Sequence, residues 1–106
     1  MILQETINEA VDRLVRAYSP TKIYLYGNYA WGTPGDDDDL KFLIIVESSC
    51  EKVYKRSDEA YNALLSLHIP KTVAVFTEQE FNTFVQDATS TCYEISTKGK
   101  MVYARD

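Results

Sequence analysis

The order of extended and helical segments is the feature of this sequence that most constrains its fold. Three short runs rich in β-branched and aromatic residues, at 22–26, 40–47 and 72–76, predict strands. Apolar residues at three- and four-residue steps predict an amphipathic helix over 2–18 and a second helix after residue 50. Helices interleaved with strands predict an α/β (α+β) fold, with helices packed on a small mixed three-stranded sheet.

Two capping boxes are predicted at helix starts. Ser48 is followed three residues later by Glu51, and Thr77 by Glu80, which is the spacing at which the two side chains satisfy backbone N–H groups reciprocally. The first box predicts a helix that runs until Pro70, and the second predicts a shorter helix after the third strand.

The remaining segments are a turn and a carboxyl-terminal tail. Glycines punctuate residues 27–35, which leaves room for one short helical turn. Residues 92–98 predict a last short helix that Gly99 ends, and residues 100–104 predict an extended tail or an edge strand.

Composition narrows the class of protein. The chain has 106 residues, so residues 1–106 are expected to form a single domain, and its net charge of −5 disfavours nucleic-acid binding, which needs a basic surface. The apolar run at 42–46 is far shorter than the ~20 residues of a membrane helix, and no signal peptide is expected at the start of the chain. Cys50 and Cys92 are expected to be free thiols, which suits a cytoplasmic protein.

The turn after the first strand is the first candidate for a binding site. A strand that runs into Gly27-Asn28 and then a helical turn exposes backbone N–H groups that can hold a triphosphate. Gly27 allows the backbone to approach such a ligand closely. The alternative is an ordinary turn that binds nothing.

Acidic residues follow this turn. Asp39 comes at the start of the second strand, and alternate residues of a strand share a face, so Asp39 and Lys41 are expected to project together. That is where a pair of carboxylates would hold a metal ion. The loop acids Asp36, Asp37 and Asp38 are either loose ligands for one Mg²⁺ or a solvated acidic turn.

These residues resemble the minimal nucleotidyltransferases, which are small single-domain members of the DNA polymerase β-like superfamily. The family signature is Gly-Ser, ten residues and then Asp-x-Asp; Gly27-Asn28, residues 29–38 and Asp39-Leu40-Lys41 keep that spacing. Residues 72–77 resemble the family's third strand, and residues 93–103 resemble its closing helix and extended end.

The resemblance implies a role for each matching residue. Asp39 would be the catalytic and metal-binding aspartate, with Mg²⁺ and a nucleoside triphosphate as cofactors if the protein is active. The nucleotide would be bound by residues of the turn after the first strand: Gly27, Asn28, Trp31 and Gly32.

The sequence departs from the family pattern where the metal ions would bind. Lys41 stands at the second aspartate and Thr72 at the third-strand acid, so the three positions have a formal charge of zero instead of −3. An ammonium ~4 Å from Mg²⁺ repels it by a few kcal/mol at an intermediate dielectric. Two metal ions are therefore not expected, and we expect Lys41 to form an ion pair with Asp39 instead.

Three functions remain open on the sequence. The first is a degenerate, catalytically weak or inactive nucleotidyltransferase-fold protein that binds a nucleotide or a protein partner, which the resemblance suggests is a helical HEPN-type protein. The second is an active Mg²⁺-dependent enzyme that transfers a nucleoside monophosphate to a hydroxyl of a protein or small molecule. The third is a structural module that forms a homodimer through a sheet edge or an apolar helix face. Trp31 is the leading candidate for contact with a base or a partner.

Overall fold

The computed structural model describes residues 2–35 and 37–105. Its regular elements, with one short 3₁₀ helix at Leu65–Leu67, are α1 (Gln4–Tyr18), β1 (Lys22–Tyr26), α2 (Asn28–Trp31), β2 (Leu40–Val46), α3 (Val53–Arg56), α4 (Asp58–Leu64), β3 (Lys71–Thr77), α5 (Glu78–Phe84), α6 (Thr91–Lys98) and β4 (Lys100–Ala104).

The strands form one mixed sheet in the order β3-β2-β1-β4. β1 pairs antiparallel with both β2 and β4, whereas β2 and β3 are parallel. The α/β class and the mixed sheet with helices packed on it are thus confirmed, but the expected number of three strands is wrong. The tail at 100–104 is a fourth strand, because its backbone groups find partners along the free side of β1.

β2 lies between helices on both faces of the sheet. Phe42 and Ile44 pack in the core beneath α1 and α4, whereas Leu43 and Ile45 point to the opposite face, in the core beneath α5 and α6. This alternation places every odd-numbered residue at the start of β2 on the α5 and α6 side. The candidate site residues follow that rule.

Side chains cover the outer edge of β3. The Val73 N–H donates to the Tyr61 hydroxyl at 3.1 Å, and the Arg56 guanidinium donates to the Val75 carbonyl at 3.5 Å. These contacts satisfy backbone groups that would otherwise invite pairing with another strand. The crossover between β2 and β3 therefore closes one edge of the sheet.

The predicted capping box at Ser48 is wrong. The helix begins later, at Val53, with Lys52 at the N-cap and no side-chain cap. Glu51 is held differently, because its N–H donates to Ser49 Oγ at 3.2 Å and its carbonyl accepts from Arg56 Nε at 3.1 Å. Residues 47–52 therefore form a loop held by these contacts, and the helix starts five residues after Ser48.

The predicted capping box at Thr77 is present. Thr77 Oγ1 accepts from the Glu80 N–H at 3.2 Å, and Glu80 Oε1 accepts from the Thr77 N–H at 2.9 Å. α5 starts directly after β3 with no intervening loop, so the box forms where the strand ends.

Two further expectations from the sequence concern membrane helices and the two cysteines. In the part of the chain that the structure describes, no helix has both the length and the apolar composition needed to cross a bilayer. Cys50 is exposed and Cys92 is buried, and both are free thiols, as expected.

Candidate functional site

The candidate site is centred on Asp39, immediately before β2. Its Oδ1 accepts a hydrogen bond from Lys41 Nζ at 3.0 Å, and its Oδ2 accepts one from the Thr72 hydroxyl. Both carboxylate oxygens are therefore engaged by side chains of the same protein. The ion pair expected between Asp39 and Lys41 is present.

The sheet register brings these residues together. Lys41 lies opposite Thr72 on the parallel neighbour β3 and opposite Tyr26 on the antiparallel neighbour β1. Asp39 precedes Lys41 by two residues and shares its face. The three positions at which the resemblance predicts metal ligands are thus neighbours in space, although 33 residues separate Asp39 from Thr72.

Gly27 makes room for the Lys41 side chain. Gly27 has φ of 77°, and a Cβ atom there would lie 2.9 Å from Lys41 Cδ and 3.2 Å from Lys41 Cε. Residues with a side chain rarely adopt this backbone conformation. The close approach that the sequence suggested for a ligand at Gly27 is made in this structure by the aliphatic part of Lys41.

The turn after β1 is held by Asn28 and Asp38. Asn28 Nδ2 donates to Asp38 Oδ2 at 3.0 Å, and the Gly35 N–H donates to the same oxygen at 2.7 Å. Gly32 packs closely against Asn28, since a Cβ there would lie 2.6 Å from Asn28 Oδ1 and 3.2 Å from Asn28 Cα. The Asn28 amide therefore ties the turn to the acidic loop.

The charges at the site stabilise one another. The hydrogen bond from Thr72, followed by that from Lys41, lowers the pKa of Asp39. The hydrogen bond to Asp39 raises the pKa of Lys41, so both groups are ionised at neutral pH. Hydrogen bonds from the Gly35 N–H and Asn28 lower the pKa of Asp38.

The donor set does not fit a pair of divalent ions. Two such ions need several anionic oxygens around them, but Asp39, Lys41 and Thr72 have a formal charge that sums to zero. Within residues 2–35 and 37–105, no three His, Cys, Asp or Glu side chains come close enough to hold a metal ion. Asp36, one of the suggested loose ligands, lies outside the described residues.

The sequence did not predict two contacts at the site, that of Tyr26 with Lys41 and that of Asp38 with Asn28. Burial raises the pKa of Tyr26, and the positive charge of Lys41 acts against that rise, so the two side chains are close. Asp38 was predicted only as a loop acid, but it is the acceptor that organises the turn. The contact of Tyr26 with Lys41 depends on the register of β1 against β2, so it could be predicted only if that pairing were known.

Trp31 is the last predicted binding residue. It lies at the end of α2, and 38% of its side chain is exposed. Its contact with a base or a partner, like the binding roles of Gly27, Asn28 and Gly32, stays a prediction.

Comparison with known proteins bears on the fold. No protein-family model and no curated protein sequence matches this chain. Among solved structures, the chain is similar to a Sulfolobus solfataricus protein described as a candidate nucleotidyltransferase, with a TM-score of 0.67 and 14% sequence identity. The match covers 95% of this chain and 79% of the other.

Proposed function

We propose that this protein, which has the nucleotidyltransferase fold, does not catalyse two-metal nucleotidyl transfer and acts instead by binding a partner. The observation that carries the proposal is the engagement of Asp39. Lys41 and Thr72 occupy its two oxygens, which are the atoms that the resemblance assigns to a metal ion. A metal-assisted displacement needs cations that neutralise the transferred phosphates, and this site offers a part-exposed pair of opposite charges in their place.

A protein partner suits the surface better than a nucleotide does. The Lys41 stem lies over Gly27, where the triphosphate was expected to approach. The positive charge of Lys41 is paired with Asp39, while the neighbouring Asp37 and Asp38 add negative charge. A triphosphate without a metal would be repelled there, whereas a basic protein surface would be attracted.

Trp31 is the proposed anchor for that partner. Its ring is part-exposed beside the turn that holds the acidic loop, and tryptophan is the residue type most often dominant in the centre of protein interfaces. The helical HEPN-type protein that the resemblance suggests is one partner with which this surface would be tested.

A nucleotide assay separates this proposal from the active alternative. We expect the wild-type protein with Mg²⁺ and α-labelled ATP, CTP, GTP or UTP to transfer no label to itself or to a co-purified protein. We also expect calorimetry with ATP and Mg²⁺ to show no metal-dependent binding. Label transfer that Asp39→Ala abolishes would establish the active enzyme and refute the proposal.

Restoring the acids tests the alignment on which the proposal depends. The double variant Lys41→Asp plus Thr72→Asp brings the three positions back to −3, and we expect it to bind Mn²⁺ where the wild type does not. The matched control is Lys52→Asp plus Thr91→Asp, which makes the same charge change at exposed positions away from the site. Equal Mn²⁺ binding by the two folded double variants would contradict the proposed site.

The partner is tested by co-purification with the product of the adjacent reading frame. We expect the wild-type protein to retain it, Trp31→Ala to lose at least tenfold in affinity, and Tyr93→Ala to leave it unchanged. Tyr93 is a suitable control because its side chain is 40% exposed on α6. Equal loss in the two variants would remove Trp31 as the anchor.

A further inference from the structure

We infer that Lys41 is a tethered cation that takes the place of a divalent ion, so that its ammonium group keeps metal away from Asp39. The inference rests on the proposed function and gives its physical cause. The residues of the site differ from the two-metal arrangement that the resemblance implies, since Lys41 and Thr72 stand where that arrangement has acidic ligands.

The first support is the position of the ammonium group. Lys41 Nζ lies 3.0 Å from Asp39 Oδ1, and the second oxygen is engaged by the hydroxyl of Thr72. The Asp39 side chain is 27% exposed, so an incoming ion that reaches the carboxylate would have to bind beside the Lys41 ammonium or displace it. The displaced ammonium would then remain nearby and repel the ion.

The second support is the space that holds the Lys41 stem. Gly27 has a left-handed backbone, and even one added carbon there would come within 2.9 Å of Lys41 Cδ. A side chain at residue 27 would therefore crowd the path along which the lysine reaches Asp39. Gly27, which was expected to contact a nucleotide, contacts the side chain of Lys41 instead.

The third support is what remains when the ammonium is removed. Asp39 would present a carboxylate, and Thr72, in register opposite residue 41, would present a neutral oxygen. Mg²⁺ and Mn²⁺ prefer oxygen ligands and keep several water molecules when a protein supplies only one or two ligands. A single weakly bound divalent ion is the expected result.

The experiment is a Mn²⁺ titration of the full chain in which free Mn²⁺ is measured by electron paramagnetic resonance. We expect Lys41→Met to bind Mn²⁺ at least about tenfold more tightly than the wild type, because the charge repulsion is gone. Lys41→Gln is a second variant that keeps a hydrogen-bond donor for Asp39 but has no charge. The same gain is expected from it, which covers the case in which Lys41→Met does not fold.

Two controls exclude a general effect of net charge. Lys52→Met makes the same change in net charge at an exposed residue at the start of α3, and no gain is expected. Adding Asp39→Asn to Lys41→Gln removes the carboxylate, and the gain should disappear.

The outcomes separate this inference from the proposed function. If folded Lys41→Gln binds Mn²⁺ no better than Lys52→Met, then Lys41 is not what excludes the metal, and the inference fails while the proposed function stands. If the wild type already binds Mn²⁺ as tightly as the Lys41 variants, the inference fails, and so does the proposed function, which depends on a wild-type site that binds no metal ion. A gain that survives Asp39→Asn also overturns the inference, since the ion would then be held elsewhere.

Discussion

Single residues at the site bind one another. Asp39 is neutralised by Lys41 at 3.0 Å, and Asn28 is bound to Asp38 at 3.0 Å. Gly27 completes the arrangement, because its lack of a side chain admits the Lys41 stem. The Asp39 and Asp38 carboxylates, which bind Lys41 and Asn28 in this way, need no ligand for their stabilisation.

Gly27→Ala is expected to destabilise the protein by about 1–3 kcal/mol, because alanine is strained at positive φ and its Cβ would displace Lys41. The measurement is the free energy of unfolding from a urea titration. Gly35→Ala is the matched control, since its Cβ would meet only Asp38 Oδ2 at an ordinary 3.8 Å. An equal loss in both variants would show that the Lys41 contact does not matter.

At the scale of elements, one buried arginine, Arg56, links the crossover between β2 and β3 to the rest of the fold. Arg56 Nη1 donates to Glu80 Oε1 at 2.6 Å and Nη2 to Glu80 Oε2 at 3.2 Å. Its Nε reaches the Glu51 carbonyl at 3.1 Å, so the same side chain also holds the loop after β2. α3, the sheet edge and the start of α5 are thereby joined.

Arg56→Met is expected to lower the free energy of unfolding by about 2–4 kcal/mol, because it leaves the part-buried Glu80 carboxylate without its cationic partner and two carbonyl groups without this donor. Chemical denaturation measures the change. Arg16→Met is the control: Arg16 is 72% exposed and pairs with Asp12 one helical turn away, so about 0.5 kcal/mol or less is expected. Similar losses in the two variants would mean that the buried position adds nothing.

The capping box observed at Thr77 and the one absent at Ser48 predict different losses of stability on mutation to alanine. Thr77→Ala should cost about 1 kcal/mol of stability, because the N–H of Glu80 loses its acceptor at the start of α5. Ser48→Ala should change stability by less than about 0.5 kcal/mol, since Ser48 caps no helix. Thermal unfolding of the two variants compares them directly, and a larger effect at Ser48 would contradict the observed helix start.

At the scale of the whole molecule, pH acts through carboxylates whose pKa values are lowered on folding. The hydrogen bond from Arg56 is the largest cause at Glu80, and the hydrogen bond from Thr72 is the largest at Asp39. The unfolded chain therefore binds protons at a higher pH than the folded chain does. Stability from these groups is fully present above the unfolded pKa values of 4.5 for Glu and 3.8 for Asp.

The free energy of unfolding is expected to stay level down to about pH 5 and to fall below it, as Glu80 and Asp39 take up protons. Glu80→Gln should be less stable than the wild type near pH 7, and the difference should shrink as the pH falls through the folded pKa of Glu80. Thermal unfolding between pH 7 and pH 2.5 measures both curves. Parallel curves for the two proteins would mean that Glu80 has no lowered pKa.

The sequence alone determined what depends on neighbours along the chain. The strand at 22–26 was predicted with its observed bounds, and the Thr77 capping box, the short turn after β1 and the Asp39–Lys41 pair each involve residues only a few positions apart. Periodicity and spacing record such contacts directly.

Only the tertiary structure decided the contacts between distant segments. The sequence left residues 100–104 as an extended tail or an edge strand, and pairing with β1 makes them a strand. The helix predicted to begin at Ser48 begins at Val53, so Ser48 caps no helix. Arg56 meets Glu80 across 24 residues. The contact of Thr72 with Asp39 across 33 residues was expected only from the family resemblance, which placed both residues at the metal positions. These pairings depend on how all the strands and helices pack at once, and packing leaves no periodic pattern in the residues that it brings together.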